Sequence, residues 1–443
     1  MIRYLLILFL VIIANFSNAQ LWQPTEVTQM PERVSNNAVC EGFVDGTPFV
    51  YSFSGIDSTK IWSGIHLKSW RYNTMTEVWE SIPPLPDPNG GKIAASASRI
   101  GDIIYIIGGY HVASNGSETS SAKVHRYQVS TNTYLTDGAD IPIPIDDQVQ
   151  AVWRDSLIYV VTGWSDITNV PDVQIYNPAE DSWSSGTPVP NNGFYKAFGA
   201  GGAIIGDTIY YFGGAALGSN FPGQYRLRRG IINPDNPTEV TWTVSGIFGI
   251  ANKGYRMAAF EHNGLIHFLG GSDVTYNYNG IAYNGSGGVP PVNRNLFFNP
   301  SENTWDTNFD YDYPMDLRGI ADLGAQIKYL AGGMKDNQQV TNKVYRLDWE
   351  ELLPTSVESF PEGELRFRVY PNPTTSHIIL ELDVQTNKRL TVSLSSVFSK
   401  KIKEFEVASN SLNPVDISGL NPGIYVLSIP FNDRIYSKKI VII

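Results

Sequence analysis

Cysteine is almost absent from this chain of 443 residues, in which Cys40 stands alone. A single cysteine excludes intrachain disulfides and any zinc site built from several cysteines. Charged residues are scarce at 17%, and 43 Asp and Glu outnumber 32 Lys and Arg, which gives a net charge of −11. Because a nucleic-acid-binding surface needs an excess of basic side chains to neutralise phosphates, we expect no nucleic-acid partner.

A long apolar run is also missing, except at the N-terminus. Residues 4–13 (YLLILFLVII) follow Arg3 and precede the small residues Ser17-Asn18-Ala19. This order is typical of an export signal that is removed before Gln20. The alternative is a membrane anchor, but the run is too short to span a bilayer comfortably and polar chain follows it. We therefore predict a signal peptide over residues 1–19 and no transmembrane segment in the mature chain.

Glycine (40 residues) and aromatic residues (12%) are plentiful, which favours short strands and tight turns over helix bundles. One phrase recurs six times: a turn residue, a bulky apolar strand, a small residue and a glycine. Its copies end, at intervals of 51 to 62 residues, at Gly55, Gly109, Gly163, Gly214, Gly271 and Gly333. An apolar run of about six residues fits a strand buried on both faces. One such sheet cannot cover itself, so the copies must pack on each other.

A pair of aromatic residues seven positions apart follows most copies, with turn residues between them. The pairs are Tyr72/Trp79, Tyr127/Tyr134, Tyr176/Trp183 and Phe298/Trp305. In the fourth copy Trp242 comes late, after an enlarged turn. The spacing predicts a hairpin whose aromatic rings wedge between neighbouring sheets.

These glycine and aromatic signals resemble the kelch repeats of β-propellers, and the resemblance covers residues 21–350. It implies an all-β fold, a six-bladed kelch-type β-propeller. The sixth copy lacks the proline-rich exit of the others, whereas Trp22 followed by Met30-Pro31 supplies one at the start of the chain. We predict that the propeller spans residues 20–353 and that its N-terminal strand completes the last blade, with Trp22 replacing the missing hairpin tryptophan.

After a polar linker at 354–365, apolar residues alternate over residues 366–443, which predicts a small antiparallel β-sandwich. This tail has a net charge of +4, against −16 for residues 20–365. It resembles the type A C-terminal sorting domain of type IX secretion substrates. The residues that carry the resemblance are Tyr370, Pro371, Asn372, Pro373, Gly423, Tyr425, Lys438 and Lys439. The alternative is an ordinary carbohydrate-binding or fibronectin-like sandwich.

The tail's resemblance implies a Gram-negative source and the type IX secretion machinery as a partner. It also implies a location that is either secreted or at the outer-membrane surface, with cleavage of the tail.

Propellers usually bind ligands at one mouth of the central channel, on the loops that enter the innermost strands. In this sequence those loops offer the polar residues Arg33, Asn37, Lys92, Asp146, Gln148, Lys196, Tyr255, Arg256, Asp316 and Arg318. Such a ring suits an anionic or hydroxyl-rich ligand, with Arg256 and Arg318 converging on a carboxylate. The alternative is that the ring pairs with itself, each arginine facing a carboxylate such as Asp316 or Asp146. Two inserted loops, 111–123 and 274–298, offer further contacts, among them Tyr276, Tyr278 and Tyr283 as exposed rings.

The leading function is recognition of a glycan or a protein, without cofactor or metal. The alternative is a sugar-acid enzyme similar to the sialic-acid mutarotases that share the kelch fold, with Asp146 as acid or base and Lys196, Arg256 and Arg318 as cations. Kelch-type copper oxidases fit poorly, since Cys40 lies in an apolar stretch and no histidine falls at the expected mouth.

Overall fold

The computed structural model describes residues 20–247, 252–309, 311–324, 327–351, 365–370, 374, 377–383, 389–396, 401–408, 412–432 and 434–442. Within it the chain divides into two compact units at Leu352 and Leu353. The signal peptide predicted at 1–19, most of the linker predicted at 354–365 and Pro371, Asn372 and Pro373 lie outside the described residues, so these assignments remain predictions. No helix in the described ranges is long and apolar enough to cross a membrane.

The described part of the first unit contains six main sheets, each built on four antiparallel strands and numbered here in chain order; sheets 1 and 2 each have a fifth, short strand. From the innermost strand outward, sheet 1 has Ala38–Val44, Thr47–Ile56, Ile65–Asn73 and Val78–Ile82; sheet 2 has Ile93–Ile100, Ile103–Val112, Val124–Gln128 and Thr133–Tyr134; sheet 3 has Val149–Trp153, Leu157–Val161, Val173–Asn177 and Ser182–Gly186. Sheet 4 has Phe198–Ile205, Thr208–Ala215, Arg226–Asn233 and Asn236–Ile247; sheet 5 has Ala258–His262, Leu265–Leu269, Arg294–Asn299 and Thr304–Phe309; sheet 6 has Ala321–Asp322, Ile327–Ala331, Lys343–Glu351 and Gln20–Gln29.

Short elements lie in the loops that follow the second strands of sheets 1, 2, 3 and 6. They are Glu118–Ser120, the pair Trp164–Ser165 and Thr168–Asn169, the pair Met334–Lys335 and Gln339–Val340, and the 3-10 turns Trp62–Gly64 and Asp336–Gln338. The strand Arg318–Gly319 pairs in parallel with the start of sheet 1. The innermost strands of sheets 1 to 5 contact one another in chain order, Arg318–Gly319 contacts the innermost strand of sheet 5 just before sheet 6, and sheet 6 contacts sheet 1. The sheets therefore form a closed β-propeller. The all-β propeller predicted from the repeats is therefore confirmed.

The glycine pairs that end four of the six repeated phrases lie where the backbone passes close to the loop that enters the next sheet. Gly213 has a left-handed φ of 72°, and a Cβ atom there would lie 2.1 Å from the carbonyl oxygen of Gly254 in the next loop. No other residue fits this conformation and this space. In sheets 1 and 3, where the first position is not glycine, Ser54 and Thr162 take the same left-handed conformation.

The aromatic pairs are cross-strand neighbours, as predicted from their spacing. Tyr176 faces Trp183 with ring centroids 5.0 Å apart, and the other three pairs lie at 5.1 to 5.3 Å. In sheet 4 the late Trp242 stands opposite Gly230, where a Cβ atom would be 2.3 Å from the indole ring. The enlarged turn therefore preserves the position of the tryptophan, and a glycine replaces its partner.

The N-terminal strand Gln20–Gln29 forms the outer strand of sheet 6 and pairs with Lys343–Glu351. Trp22, however, does not take the position of the hairpin tryptophan. Pro24 stands opposite Leu347, at the register that the aromatic pairs occupy elsewhere, and Trp22 lies two residues away. Its ring is buried, edge-on to Phe260 of sheet 5 with centroids 5.2 Å apart. Trp22 thus joins two sheets and completes no aromatic pair.

The second unit is a two-sheet antiparallel sandwich. One sheet orders Arg366–Tyr370, His377–Asp383 and Leu412–Asp416; the other orders Lys401–Val407, Leu390–Ser396, Gly423–Phe431 and Arg434–Ile442. Alternate residues of these strands, such as Ile378, Leu380, Val392 and Leu394, are fully buried in one core. The period-two pattern of the tail predicted this arrangement.

Candidate functional site

A ring of backbone hydrogen bonds lines the mouth of the central channel. Each sheet contributes one residue at or just before its innermost strand in the left-handed conformation, with φ between 49° and 66°; these are Asn36, Ala94, Asp147, Gly199, Arg256 and Asp316. The N–H groups of Ala94, Asp147, Gly199 and Arg256 each donate to the carbonyl of the preceding member, Leu317 donates to Arg256, and Asn36 donates to Asp316. The ring fixes the backbone from which the central side chains project.

Arginine is an uncommon choice at a left-handed position, where a non-glycine residue costs about 1 kcal/mol. Arg256 is nevertheless fully buried at this position. Its guanidinium forms a two-pronged ion pair with Asp147, at 2.6 and 3.1 Å, and also donates to Asp316 at 2.9 Å. Burial alone would lower the pKa of Arg256, but the carboxylate of Asp147 and the other acidic groups around it raise that pKa.

Arg318, in the short strand that pairs with the start of sheet 1, joins the same group. Its guanidinium lies 3.4 Å from Asp147 and donates to Ser96 Oγ at 2.9 Å and to the carbonyl of Gln148 at 3.0 Å. Ser35 closes the group by donating to Asp316 at 2.6 Å. The structure therefore brings Arg256 and Arg318 together, as the sequence suggested, but both already contact a carboxylate. We call Asp147, Arg256, Asp316 and Arg318 the ion-pair network.

Several other predicted site residues are tied into the fold. Lys92 is buried and paired with Asp87 at 3.0 Å. Asn37 bridges Ser52 and the carbonyl of Ala331, and Gln148 donates to the carbonyl of Ile107. Arg33 is exposed and lies 3.4 Å from the carbonyl of Val340, and Lys196 is half-buried. None of these five lines the mouth cavity described next, so we retain them as predictions without a geometry that supports ligand binding.

A cavity of about 80 Å³ opens beside the ion-pair network, and we call it the mouth cavity. It is lined by Tyr110, Glu118, Asp146, Asp147, Trp164, Phe198, Phe221, Arg256, Asn277 and Tyr283. Trp164, Phe198 and Phe221 pack edge to face, with centroids 5.3 to 5.6 Å apart, and Tyr283 lies 4.8 Å from Phe221. Aromatic walls with a few polar groups are usual in binding sites. A second cavity of about 140 Å³ lies among the innermost strands and is lined in part by Gln148 and Arg318.

Asp146 lines the mouth cavity beside Asp147 and Arg256 and is, like them, buried, with 3% of its surface exposed. Its carboxyl accepts a hydrogen bond from Ser120 Oγ at 2.6 Å. Burial raises the pKa of Asp146 well above its usual range, and the neighbouring charge of Asp147 raises it further. Glu118 reaches the cavity from an exposed loop, and partial burial raises its pKa as well. The raised pKa favours the protonated form of Asp146, which can donate a hydrogen bond.

Tyr255 of the predicted set lies behind this cavity. It is buried, with its ring 5.7 Å from Phe198 and 5.1 Å from Tyr276. The expectation that Tyr276 is exposed on its inserted loop is wrong, because the loop folds inward and buries this ring completely. Tyr278 and Tyr283 are half-buried. Cys40 is buried, which raises the pKa of its thiol and fits an inert side chain.

Two of the aromatic residues of the cavity, Trp164 and Phe221, come from loops that were not among the predicted binding loops. Trp164 directly follows the glycine of the third copy, and Phe221 lies seven residues beyond that of the fourth. These loops connect the second and third strands of their sheets and open on the same mouth as the loops that enter the innermost strands. The sequence signal that could have identified these two residues is an aromatic residue a few positions after the glycine of a repeat.

Comparisons with known proteins separate the two units. Residues 368–443 match the family described as "Secretion system C-terminal sorting domain". The first unit is similar to "Kelch-like protein 15" of Danio rerio, 24% identical over 264 residues, which cover 57% of this chain and 40% of that protein. It is also similar to "Kelch-like protein terF" of Aspergillus terreus, 27% identical over 198 residues, covering 43% of this chain and 40% of that protein.

The chain thus spans about two-fifths of the length of these relatives. Among solved structures, "Structure of YjhT" is similar with a TM-score of 0.58 and 14% identity, covering 73% of this chain and 99% of that one. At this identity the likeness shows a shared fold. The protein is therefore a kelch-type β-propeller followed by an antiparallel sandwich. More particularly, that sandwich is a secretion-system C-terminal sorting domain, whose presence indicates export to the cell surface or release from the cell.

Proposed function

We propose that this protein is an exported recognition module, handled by the type IX secretion machinery through its tail, whose propeller binds a glycan or a protein at the mouth cavity. The observation that carries the proposal is the cavity itself. Aromatic rings form its walls, the buried carboxyl of Asp146 lines it, and the ion-pair network adjoins it through Asp147 and Arg256. Concave sites of this composition are the usual places for ligands.

Exposed apolar side chains on the same loops support a macromolecular ligand. Ile167 is 84% exposed three residues after Trp164, Leu217 is 50% exposed four residues before Phe221, and Ile281 is 43% exposed two residues before Tyr283. Solvent-exposed apolar groups around a polar site are a mark of interaction surfaces. A ligand that reaches beyond the cavity would cover them.

The sugar-acid enzyme requires cations that are free to receive a carboxylate. Arg256 and Arg318, which the sequence offered for this role, both contact Asp147, and Lys196 does not line the cavity. An anion at this mouth would also approach a group of residues with more carboxyls than guanidiniums. The geometry therefore supports recognition better than this alternative, while Asp146 remains the group that such an enzyme would use as an acid.

A glycan array, together with a sialic-acid anomerisation assay followed by NMR, tests the proposal on the exported chain. We expect retention of a defined set of glycans or a defined protein partner, lost when Trp164 is replaced by alanine, and no change in the anomerisation rate. Catalysed anomerisation that disappears in Asp146→Asn would favour the enzyme. Binding that survives Trp164→Ala unchanged would move the site away from the mouth cavity.

A further inference from the structure

The mouth cavity contains a carboxyl group for which the described residues provide no cation. Asp147 is neutralised by Arg256 and Arg318, and Asp316 shares Arg256. Asp146, which is just as buried, forms no ion pair in the described part of the chain, and its nearest polar partner is the hydroxyl of Ser120. An ionised carboxylate in such surroundings is costly unless a positive charge comes to meet it.

The remaining walls of the cavity are of the kind that attracts cations. The faces of aromatic rings carry negative potential, and several rings around one space stabilise a positive group placed among them. The fold already uses this effect nearby, since the guanidinium carbon of Arg256 lies 5.2 Å from the ring centre of Tyr255 and 5.6 Å from that of Tyr276. Trp164, Phe198, Phe221 and Tyr283 form a similar cluster around the cavity, and no lysine or arginine of the described residues lies over one of their rings.

The size of the cavity limits what can enter. About 80 Å³ is well below the roughly 300–1,000 Å³ of pockets that enclose a whole small molecule. It suits one compact group at the end of a larger ligand. The charge of −16 on residues 20–365 would also draw a cation, and repel an anion, during approach.

We infer that the mouth cavity binds an ammonium group of the ligand, held between the carboxyl of Asp146 and the rings of Trp164, Phe221 and Tyr283. This inference rests on the proposed function and narrows the ligand to one that carries an amine or a quaternary ammonium. On binding, the carboxyl of Asp146 ionises and its proton leaves to solvent, so that the ammonium charge meets a carboxylate.

Proton release gives the site a pH dependence of known sign. Burial and Asp147 raise the pKa of Asp146 in the empty site, and a bound cation lowers it. The affinity for a cation of fixed charge should therefore increase with pH up to the pKa of the empty site and be constant above it. Glu118 at the rim, Asp147 and Arg256 face the same space, and they set the value of that pKa without reversing this direction.

Calorimetric titration of the full chain with choline tests the inference, since the charge of choline does not vary with pH. Its neutral carbon analogue, 3,3-dimethyl-1-butanol, has nearly the same shape. We expect choline to bind at least about tenfold more tightly than this alcohol, and Asp146→Asn to remove about tenfold of the choline affinity. Asp336→Asn is the matched control, because it removes one carboxylate from an exposed position on another loop and should leave the affinity unchanged.

Equal binding of choline and the alcohol, or an Asp146→Asn variant with unaltered choline affinity, would overturn the inference. If Asp146→Asn fails to fold, the comparison of choline with the alcohol on the unmodified chain still shows whether the cavity prefers a cation. Glucosamine and N-acetyl-lysine amide, titrated in parallel, distinguish an amino-sugar source of the ammonium from a protein source. If the array finds a neutral ligand that depends on Trp164 while no cation binds, the ammonium site is refuted and the recognition function stands.

Discussion

Two buried carboxyl groups on opposite sides of the channel mouth have contrasting surroundings. On one side Asp147 contacts two arginines, Arg256 just before sheet 5 and Arg318 in the short strand that pairs with sheet 1. On the other, Asp146 faces a cavity of aromatic rings, and among the described residues its carboxyl has the hydroxyl of Ser120 as its hydrogen-bond partner. The two residues are adjacent in the chain. The difference indicates that a paired carboxylate holds the scaffold together, whereas an unpaired one in a cavity is available for a ligand.

Of the substitutions that test this difference, the replacement of Arg256 should have the largest effect on the free energy of unfolding. Replacing it by alanine leaves Asp316 without a cation and Asp147 with only the longer contact to Arg318. Removing one partner of a buried ion pair costs about 3–5 kcal/mol of the free energy of unfolding. All ten tryptophans lie between residues 22 and 349, so denaturant unfolding followed by tryptophan fluorescence measures the propeller unit without the tail.

Arg33→Ala is the control for this change, since Arg33 is exposed and its nearest contact is the carbonyl of Val340 at 3.4 Å. It should alter the stability by less than about 0.5 kcal/mol. If Arg256→Ala were equally harmless, the network would not be structural, and the arginine would again be a candidate for binding an anion.

Arg318→Ala should have a smaller effect than Arg256→Ala. It removes hydrogen bonds to Ser96 and to the carbonyl of Gln148, while Asp147 keeps its closer partner. Hydrogen bonds of charged groups contribute about 1.5–3 kcal/mol, which sets the expected loss in the same unfolding experiment. A loss as large as that of Arg256→Ala would show that Asp147 depends equally on both arginines.

The smallest effect is expected at Asp146 and has the opposite sign. Since the pKa of Asp146 is raised in the folded chain above the unfolded value of about 3.9, the proton it holds favours folding at low pH, and this contribution is lost as pH rises towards the folded pKa. Relative to the unmodified chain, Asp146→Asn should therefore become more stable as the pH rises from 4 to 8. Asp336→Asn should show no such pH-dependent gain in stability. A stability gain of Asp146→Asn that decreased with pH would contradict a raised pKa of Asp146.

The repeats made the fold accessible from the sequence, because each copy states the same strand, glycine pair and hairpin. The ring residues were partly accessible too, since loops that enter the innermost strands must meet at the channel. Their pairing was not accessible. Which ring residues pair with one another depends on which loops face each other across the mouth. Lys92, for example, forms an ion pair with Asp87 of its own loop. Trp164 and Phe221 were missed because they lie in loops whose lengths differ from copy to copy.

In the ring of left-handed residues at the mouth, the backbone conformation is held independently of the side chains. Its hydrogen bonds run between main-chain atoms, so they persist whichever side chains stand at the six positions. Asparagine, aspartate and glycine occupy such positions at little cost. Substitutions at these positions can change which ligand the channel mouth binds without changing the fold of the blades. Proteins that share this scaffold can therefore evolve to bind unrelated ligands. A propeller only 14% identical can thus superpose on this one and still say nothing about which molecule either protein holds.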